Sequence, residues 1–330
     1  MKKFKKLINC ECYKVTKSGK IVYSGATDDI EKIRIEYSNS DIYIETTDDI
    51  YIERDFLDKI LAGMTTKDFL IIRDDEIIKN NKIRLKIKKS DYDHFIDFQF
   101  EENIKTVKLP DFSNILFSSG KFDGFSGRKH LNSVFIRNNE IATTDCRRIS
   151  VLKTDIQIDK NILIPIGLAK IVSKDCSVGR GEKDTVIEFE EKNKKYKIYY
   201  NADKYYNPDS FPEYKEIISR DDSDNVLEFN ENIVDFLNEV KKINKDNSIF
   251  INSDKIRSGR NKNEIDEGDV YIEMNINNTG LDEDICFKLN YLIDIVKNIG
   301  LEKLQLNGMR YPAVVKTNDI VHIVMPKHIN

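Results

Sequence analysis

Three ten-residue stretches of the chain align without gaps: Ile52-Glu-Arg-Asp-Phe-Leu-Asp-Lys-Ile-Leu61, Leu163-Ile-Pro-Ile-Gly-Leu-Ala-Lys-Ile-Val172 and Phe287-Lys-Leu-Asn-Tyr-Leu-Ile-Asp-Ile-Val296. Their aliphatic residues coincide at positions i, i+3 and i+4, which are Leu57, Ile60 and Leu61; Leu168, Ile171 and Val172; and Leu292, Ile295 and Val296. This spacing puts the aliphatic residues on one face of a helix. The sequence therefore predicts a short amphipathic helix that recurs three times.

Strand-like runs surround each of these helices. Further strands follow them at 68–73, 185–189 and 303–306, and alternation with period two, as in 32–37 and 82–87, is typical of half-buried antiparallel strands. A longer amphipathic helix is predicted within 230–246. We predict an α+β fold of three similar domains, 1–107, 108–222 and 223–330, each with antiparallel sheets and one or two helices.

Composition narrows the class of protein. The 330 residues include 53 Lys and Arg against 57 Asp and Glu, so the net charge is −4, which excludes a generally basic nucleic-acid-binding domain but allows local basic patches. The longest strongly apolar stretch, 162–169, is too short for a membrane span. Near the start of the chain, the acidic Glu11 lies where an export signal would have its apolar core. Five scattered cysteines predict no disulfide framework. We expect a cytoplasmic protein with no membrane partner.

Three separated segments carry a family resemblance. They are Glu140-Ile-Ala-Thr-Thr-Asp-Cys-Arg-Arg-Ile-Ser150, Ser210-Phe-Pro-Glu-Tyr-Lys-Glu-Ile-Ile218 and Val321-His-Ile-Val-Met-Pro-Lys-His-Ile-Asn330. In order and spacing they resemble the Ala-Thr-Asp-Gly-His-Arg-Leu-Ala turn, the Phe-Pro-Asp-Tyr segment and the Val-Met-Pro-Met-Arg-Leu ending of the bacterial sliding clamp, the β subunit of DNA polymerase III. The resemblance covers about residues 108–330 well and the first domain weakly.

The chain also departs from that family. Cys146 stands where the family turn has Gly, Arg147 where it often has His, and Lys327 where the ending has Met. The family opens its first domain with a helix, whereas residues 7–13 have the pattern of a strand and 1–6 are too few to replace that helix. The first domain is therefore expected to lack part of the family's pore lining.

The resemblance implies a pocket between the second and third domains that binds short, largely apolar peptides of partner proteins. The matching positions are mostly apolar: Leu131, Thr144, Arg148, Ile149, Pro212, Ile217, Val324, Met325 and Pro326. Without the resemblance, Ile149, Ile217 and Val324 would be interpreted as ordinary core residues. Both interpretations stay open at this stage.

The resemblance further implies a head-to-tail homodimer that closes a ring around duplex DNA. At the dimer interface, Lys82, Arg84 and Lys86 on a strand of the first domain would face Glu264, Asp266, Glu267 and Asp269 in the third. The candidate contacts to DNA phosphates, which carry no base specificity, are Arg54, Lys59, Lys121, Arg128, Lys129, Lys170, Lys174, Lys241, Lys242 and Lys245. Solvated strand faces and plain surface lysines are the alternative interpretations.

Motifs of common enzymes are missing from the sequence. It contains no phosphate-binding Gly-x-x-x-x-Gly-Lys loop, no His-Glu-x-x-His and no Gly-x-Ser-x-Gly. Pro208-Asp209 with Glu213-Tyr-Lys215 is similar to a metal-nuclease signature, but too few residues separate the two acids to place them on adjacent strands. Cys10 and Cys12 have no second pair at zinc spacing. We expect no catalytic residue, metal or cofactor.

The functional expectation is a non-enzymatic DNA sliding clamp, a processivity factor that tethers DNA polymerase and other replication or repair proteins. An ATP-driven clamp loader is implied as a partner by the family, and docking proteins would use short peptide motifs. The alternative is a monomeric clamp-like interaction module that keeps the peptide pocket but does not encircle DNA. A carboxylate-based nuclease is the third possibility.

Overall fold

The structure, a computed structural model, has strands at the predicted runs 32–37 and 82–87. It describes residues 8, 12–27, 30–39, 42–64, 68–73, 76–86, 95–96, 98–119, 130–191, 193–202, 208–215, 224–243, 248–258 and 272–327. The strands, numbered in chain order, are β1 Cys12–Val15, β2 Ile21–Gly25, β3 Ile30–Asn39, β4 Tyr43–Thr46, β5 Ile50–Glu53, β6 Phe69–Arg73, β7 Glu76–Lys79, β8 Ile83–Lys86, β9 Val107–Leu109, β10 Ser133–Arg137, β11 Glu140–Thr144, β12 Arg148–Lys153, β13 Ile162–Pro165, β14 Cys176–Arg180, β15 Asp184–Glu191, β16 Lys194–Ala202, β17 Val226–Glu228, β18 Ser248–Ile251, β19 Lys255–Ser258, β20 Glu273–Asn275, β21 Ile285–Lys288, β22 Lys303–Gln305, β23 Ala313–Lys316 and β24 Ile320–Val324.

The helices confirm the threefold repeat. They are α1 Arg54–Ala62, α2 Ile166–Val172, α3 Glu231–Ile243 and α4 Leu289–Asn298, with 3-10 helices η1 Ser113–Ser118 and η2 Pro208–Ser210. The repeated helices α1, α2 and α4 each begin at the residue after a strand ends, and their shared leucines Leu57, Leu168 and Leu292 are each 0% exposed. No helix in the described part of the chain is long and apolar enough to cross a membrane.

The described coordinates separate into two compact units. Unit 1 comprises residues 1–111 and 156–209, and unit 2 comprises 112–155 and 210–330. Each unit combines strands of two predicted domains, so the boundaries at 107 and 222 stay predictions. Within unit 1 the large sheet has the order β5-β1-β2-β3-β16-β15-β14-β9, and within unit 2 the corresponding order is β10-β11-β12-β24-β23-β22-β17.

A smaller sheet belongs to each unit, with orders β4-β6-β7-β8 in unit 1 and β21-β18-β19-β20 in unit 2. The three repeats therefore share one plan. The blocks β16-β15-β14-β9, β24-β23-β22-β17 and β8-β7-β6-β4 correspond, and so do β1-β2-β3, β10-β11-β12 and β18-β19-β20. The two kinds of block are joined by antiparallel pairs in the large sheets, with Ile35 opposite Ile198 and Val151 opposite Val321.

The last strand of the block β8-β7-β6-β4 in the first repeat differs in origin and direction from its counterparts in the other two repeats. β9 and β17 open their repeats and run antiparallel to β14 and β22, whereas β4 follows β3 in the chain and runs parallel to β6. Because β4 enters from the end of β3 and not from the start of a domain, it reaches this position in the opposite direction. This strand substitution goes together with the weak resemblance of the first domain.

Candidate functional site

Several hydrogen bonds fix the turn between β11 and β12. The Thr144 hydroxyl donates to the Arg148 carbonyl at 2.7 Å and accepts from the Cys146 amide at 3.1 Å. Asp145 Oδ1 accepts from the amides of Arg147 and Arg148, each at 2.9 Å. Cys146 has φ +67°, a left-handed conformation that side chains other than Gly rarely adopt. The turn therefore has the backbone conformation that favours Gly, although this chain has Cys at the position.

Arg148 connects this turn to helix α4. Its Nε donates to Asp145 Oδ2 at 3.0 Å and its Nη1 donates to Asp294 Oδ2 at 2.6 Å. The guanidinium lies 4.5 Å from the ring centre of Tyr291 and 5.5 Å from that of Phe117. Burial raises the pKa of Tyr291 to about 12, and the Asp145 carboxylate adds to this shift. Two carboxylates and two aromatic rings therefore hold Arg148 in one orientation.

The end of the chain lies against the same turn. Arg148 is opposite Val324 in the β12–β24 pair, and the Met325 amide donates to the Arg147 carbonyl at 2.8 Å. Two residues further, the Lys327 amide donates to the Cys286 carbonyl at 2.7 Å and Nζ donates to Ser248 Oγ at 2.7 Å. Segment 325–327 is thus fixed between β12 and the small sheet of unit 2.

The predicted pocket residues that the structure describes all belong to unit 2, but they differ in exposure. Leu131, Thr144, Ile149, Val324 and Pro326 are buried, Arg148 and Met325 are half-buried, and Pro212 is exposed. The register of β11, β12 and β24 brings five of these residues together: Thr144, Arg148, Ile149, Val324 and Met325. Two others lie elsewhere in the sequence. Leu131 precedes β10, and Pro212 follows Phe211, whose ring stacks on that of Phe135 with 4.5 Å between the ring centres. Ile217 lies outside the described residues. The pocket stays a prediction.

Several residues around this site were not identified from the sequence. Asp294 stands where the other two repeats have Lys59 and Lys170, and that exception in the repeat was the available signal for its bond to Arg148. The register that places Ala313 opposite Val324 also brings the loop before β23 to this end of the sheet. In that loop Met309 is 42% and Tyr311 is 50% exposed, so both offer apolar surface next to the chain end.

A buried cluster of polar side chains joins η1, β12 and β24 near the site. Ser150 Oγ is 2.7 Å from His322 Nδ1 and 2.5 Å from Ser118 Oγ, and the His322 ring lies 5.0 Å from that of Phe117. His322 is 0% exposed. Burial, assisted by the nearby Arg148 charge, lowers the pKa of His322 to about 3, so the imidazole is neutral at pH 7.

The predicted DNA-contacting residues lie mainly on helices. Arg54 and Lys59 are in α1, Lys170 is in the last turn of α2 with Lys174 just beyond it, and Lys241 and Lys242 are in the last turn of α3. All of them except half-buried Arg54 are exposed, and Lys242 pairs with Glu239 at 2.6 Å. Lysines at these helix ends also stabilise the helix dipole. Lys121, Arg128, Lys129 and Lys245 lie outside the described residues.

The predicted dimer contacts lie at a sheet edge. β8 is the last strand of the small sheet in unit 1, Arg84 and Lys86 are on it and Lys82 precedes it, and all three side chains are exposed. The Arg84 guanidinium lies 3.6 Å from Glu76. The acidic partners Glu264, Asp266, Glu267 and Asp269 lie outside the described residues.

Metal ligands do not cluster in the described part of the chain, where no group of three or more His, Cys, Asp or Glu side chains could hold an ion. Glu213, from the nuclease-like segment, pairs with Arg137 at 3.5 Å. The Tyr214 hydroxyl bonds to Glu140 at 3.1 Å.

Comparison with known proteins identifies the fold. No protein-family model and no curated protein sequence matches the chain. Among solved structures, it is similar to the DNA polymerase sliding clamp of Caulobacter crescentus (TM-score 0.71, 15% identity, 97% of this chain and 92% of that one). It is also similar to DNA polymerase III subunit β of Borrelia burgdorferi (0.70, 16%, 100% and 95%) and to the Helicobacter pylori β clamp bound to a DNA ligase peptide (0.67, 13%, 99% and 96%). The chain has the fold of the bacterial sliding clamps, with little sequence identity to them.

Proposed function

We propose that this protein is a DNA sliding clamp that works as a head-to-tail homodimer around duplex DNA. In this role it holds DNA polymerase and other replication or repair proteins on their template, after loading by an ATP-driven clamp loader in the cytoplasm. Encirclement raises the local concentration of a bound polymerase, so the mechanism needs no base recognition, no cofactor and no catalytic residue.

The strand order carries this proposal. Inside the chain, β3 pairs with β16 and β12 pairs with β24, and each pair joins one repeat to the next. By the same plan, β20 is the counterpart of β3 and β12, and β8 is the counterpart of β16 and β24. Among the described residues both β20 and β8 end their sheets, so a second copy of the chain could form a third junction of the same kind.

Three exposed basic residues on β8 and directly before it, Lys82, Arg84 and Lys86, allow a direct test of the dimer. We expect light scattering of the wild type to give a mass near twice 38.5 kDa that persists on dilution. Reversing the three charges in Lys82→Glu/Arg84→Glu/Lys86→Glu should produce a monomer, because the edge would repel the acidic segment before β20.

The matched control reverses three other exposed bases, in Lys170→Glu/Lys241→Glu/Lys242→Glu. This variant should keep the dimer mass but lose most retention on closed circular DNA, because it weakens phosphate contacts away from the edge. A wild type that is monomeric at every concentration would exclude the ring.

Partner docking is proposed at the chain end of unit 2. The Helicobacter pylori β clamp, bound to a DNA ligase peptide, is the precedent for a peptide ligand. Met325 is half-buried and Pro212 exposed, so both present apolar surface to a ligand. Met325→Ala or Pro212→Ala should weaken such a peptide by about 1 to 3 kcal/mol in a fluorescence titration.

Leu301→Ala is the control, since Leu301 is also exposed (52%) and lies in unit 2 after α4. Cys146, the exposed cysteine of the turn, gives an independent readout, because a bound peptide should slow its alkylation. Unchanged affinity in both variants would remove the pocket assignment.

A monomeric clamp-like module that keeps only the peptide site is the second candidate. It is favoured by the uneven helix content of the repeats: in the described residues the third repeat has α3 and α4, the second has α2 and the short 3-10 helices η1 and η2, and the first has α1. Thinner helical cover would reduce the surface available to DNA. The mass measurement separates the two candidates.

A further inference from the structure

Three basic side chains within or beside segment 325–327 have no carboxylate partner among the residues that the structure describes. We define the basic rim as Arg147, Lys288 and Lys327, all of which are exposed. Within the described residues, none of the three forms an ion pair: Lys327 Nζ donates to the Ser248 hydroxyl, and Lys288 Nζ lies 5.3 Å from the ring centre of Tyr291.

The three members of the basic rim lie close together. Ser248, which accepts the Lys327 bond, is opposite Lys288 in the β18–β21 pair. The Tyr291 ring lies beneath both Lys288 and Arg148, and the Arg147 charge also lowers the pKa of Tyr291 against the upward effect of burial. The Arg147 carbonyl accepts the Met325 amide bond.

The carboxylates nearby are already occupied. Asp145 and Asp294 both bind Arg148, Asp284 binds Arg257, and Glu283 accepts the Met309 amide. Two carboxylates on one guanidinium leave a charge of −1 at Arg148, Asp284 and Arg257 cancel, and Glu283 keeps its −1. The three charges of the basic rim therefore exceed the remaining −2 and leave this surface with a net charge of +1. The amino-terminal end of α4, which begins directly after Lys288, adds a positive partial charge.

We propose that this site selects peptides that carry acidic residues beside their apolar anchor. The inference rests on the proposed peptide-binding function and specifies the charge of the partner. An acidic flank would meet the basic rim, while the anchor contacts Met325 and Pro212. Two of the three rim residues, Arg147 and Lys327, differ from the resembling family, so this preference belongs to this chain.

The test uses two fluorescent versions of one DNA ligase peptide, with the residues flanking the apolar anchor changed to Asp in one and to Lys in the other. In low salt the Asp version should bind about tenfold more tightly, and the ratio should shrink at about 0.5 M salt because exposed charges are screened. Arg147→Glu/Lys288→Glu should reverse the order while leaving the Lys327 contacts with the small sheet intact.

Lys153→Glu is the matched control, because Lys153 is exposed at the opposite end of β12 and should leave the preference unchanged. Equal binding of both versions by the wild type would overturn the charge preference and keep the peptide site. Failure of both versions to bind would overturn the proposed peptide-binding function itself.

Discussion

Gly179→Ala should lower the free energy of unfolding by about 3 kcal/mol, as expected when an added atom has no space in a packed region. A Cβ atom built at Gly179 would lie 2.1 Å from the Lys105 carbonyl oxygen and 2.9 Å from Ile104 Cγ2. The first neighbour is backbone, which cannot rotate away as a side chain could. The segment 98–106, which links the first two predicted domains, would have to move off β14.

Segment 98–106 makes several packing contacts that such a movement would disturb. Phe98 and Ile104 pack against a buried cluster of Phe100, Val186 and Tyr199. The Arg34 guanidinium lies 5.5 Å from the ring centre of Phe100 and 4.6 Å from that of Tyr199, and it donates to the Phe98 carbonyl at 3.2 Å. Displacement of the backbone at Lys105 would disturb these contacts together.

Urea unfolding followed by circular dichroism measures the loss. Gly63→Ala is the control, because the nearest atom to its added Cβ is the Ile60 carbonyl oxygen at 3.8 Å, an ordinary contact. We expect that variant to stay within about 0.5 kcal/mol of the wild type. An unchanged urea midpoint for Gly179→Ala would contradict the packing of segment 98–106.

Acid should destabilise the protein through His322. Its pKa falls from the ordinary 6.5 to about 3 in the folded state, so on acidification the unfolded chain takes up a proton at this residue before the folded chain does. The contribution of His322 to stability is complete above pH 6.5 and is lost as the pH falls toward 3. Between pH 7 and pH 4.5 the loss should be about 3 kcal/mol.

His322→Asn isolates this effect, because asparagine is polar but does not titrate. Its unfolding free energy should be lower at pH 7, since the bond to Ser150 changes, and should fall less between pH 7 and 4.5 than that of the wild type. Carboxylates titrate alike in both proteins and cancel in the comparison. Parallel curves for His322→Asn and wild type would contradict the buried neutral imidazole.

Some features of the site were accessible from sequence and others were not. The turn at 144–148 and the chain end at 324–326 were selected through a resemblance, and the register of β12 with β24 brings them together. The bond between Arg148 and Asp294 joins residues 146 positions apart, and no local pattern indicates it. The repeat marked Asp294 only as an exception to a lysine position.

By itself, the sequence determined the repeated helix, the alternating strands and the order of the three repeats. These follow from the spacing of apolar residues over a few positions, which each segment carries regardless of its surroundings. Only the tertiary structure decided that β4 takes the last strand position of its sheet and runs parallel to β6. It also decided that Val324 and Ile149 are buried while Met325 is half-buried. Finally, it decided that the carboxylates beside Arg148 form ion pairs while the residues of the basic rim form none within the described part of the chain. The choice of strand partner, the burial of a side chain and the formation of an ion pair depend on which distant segments come into contact. Their energies are interaction energies between pairs of residues, so a single position in the sequence does not reveal them.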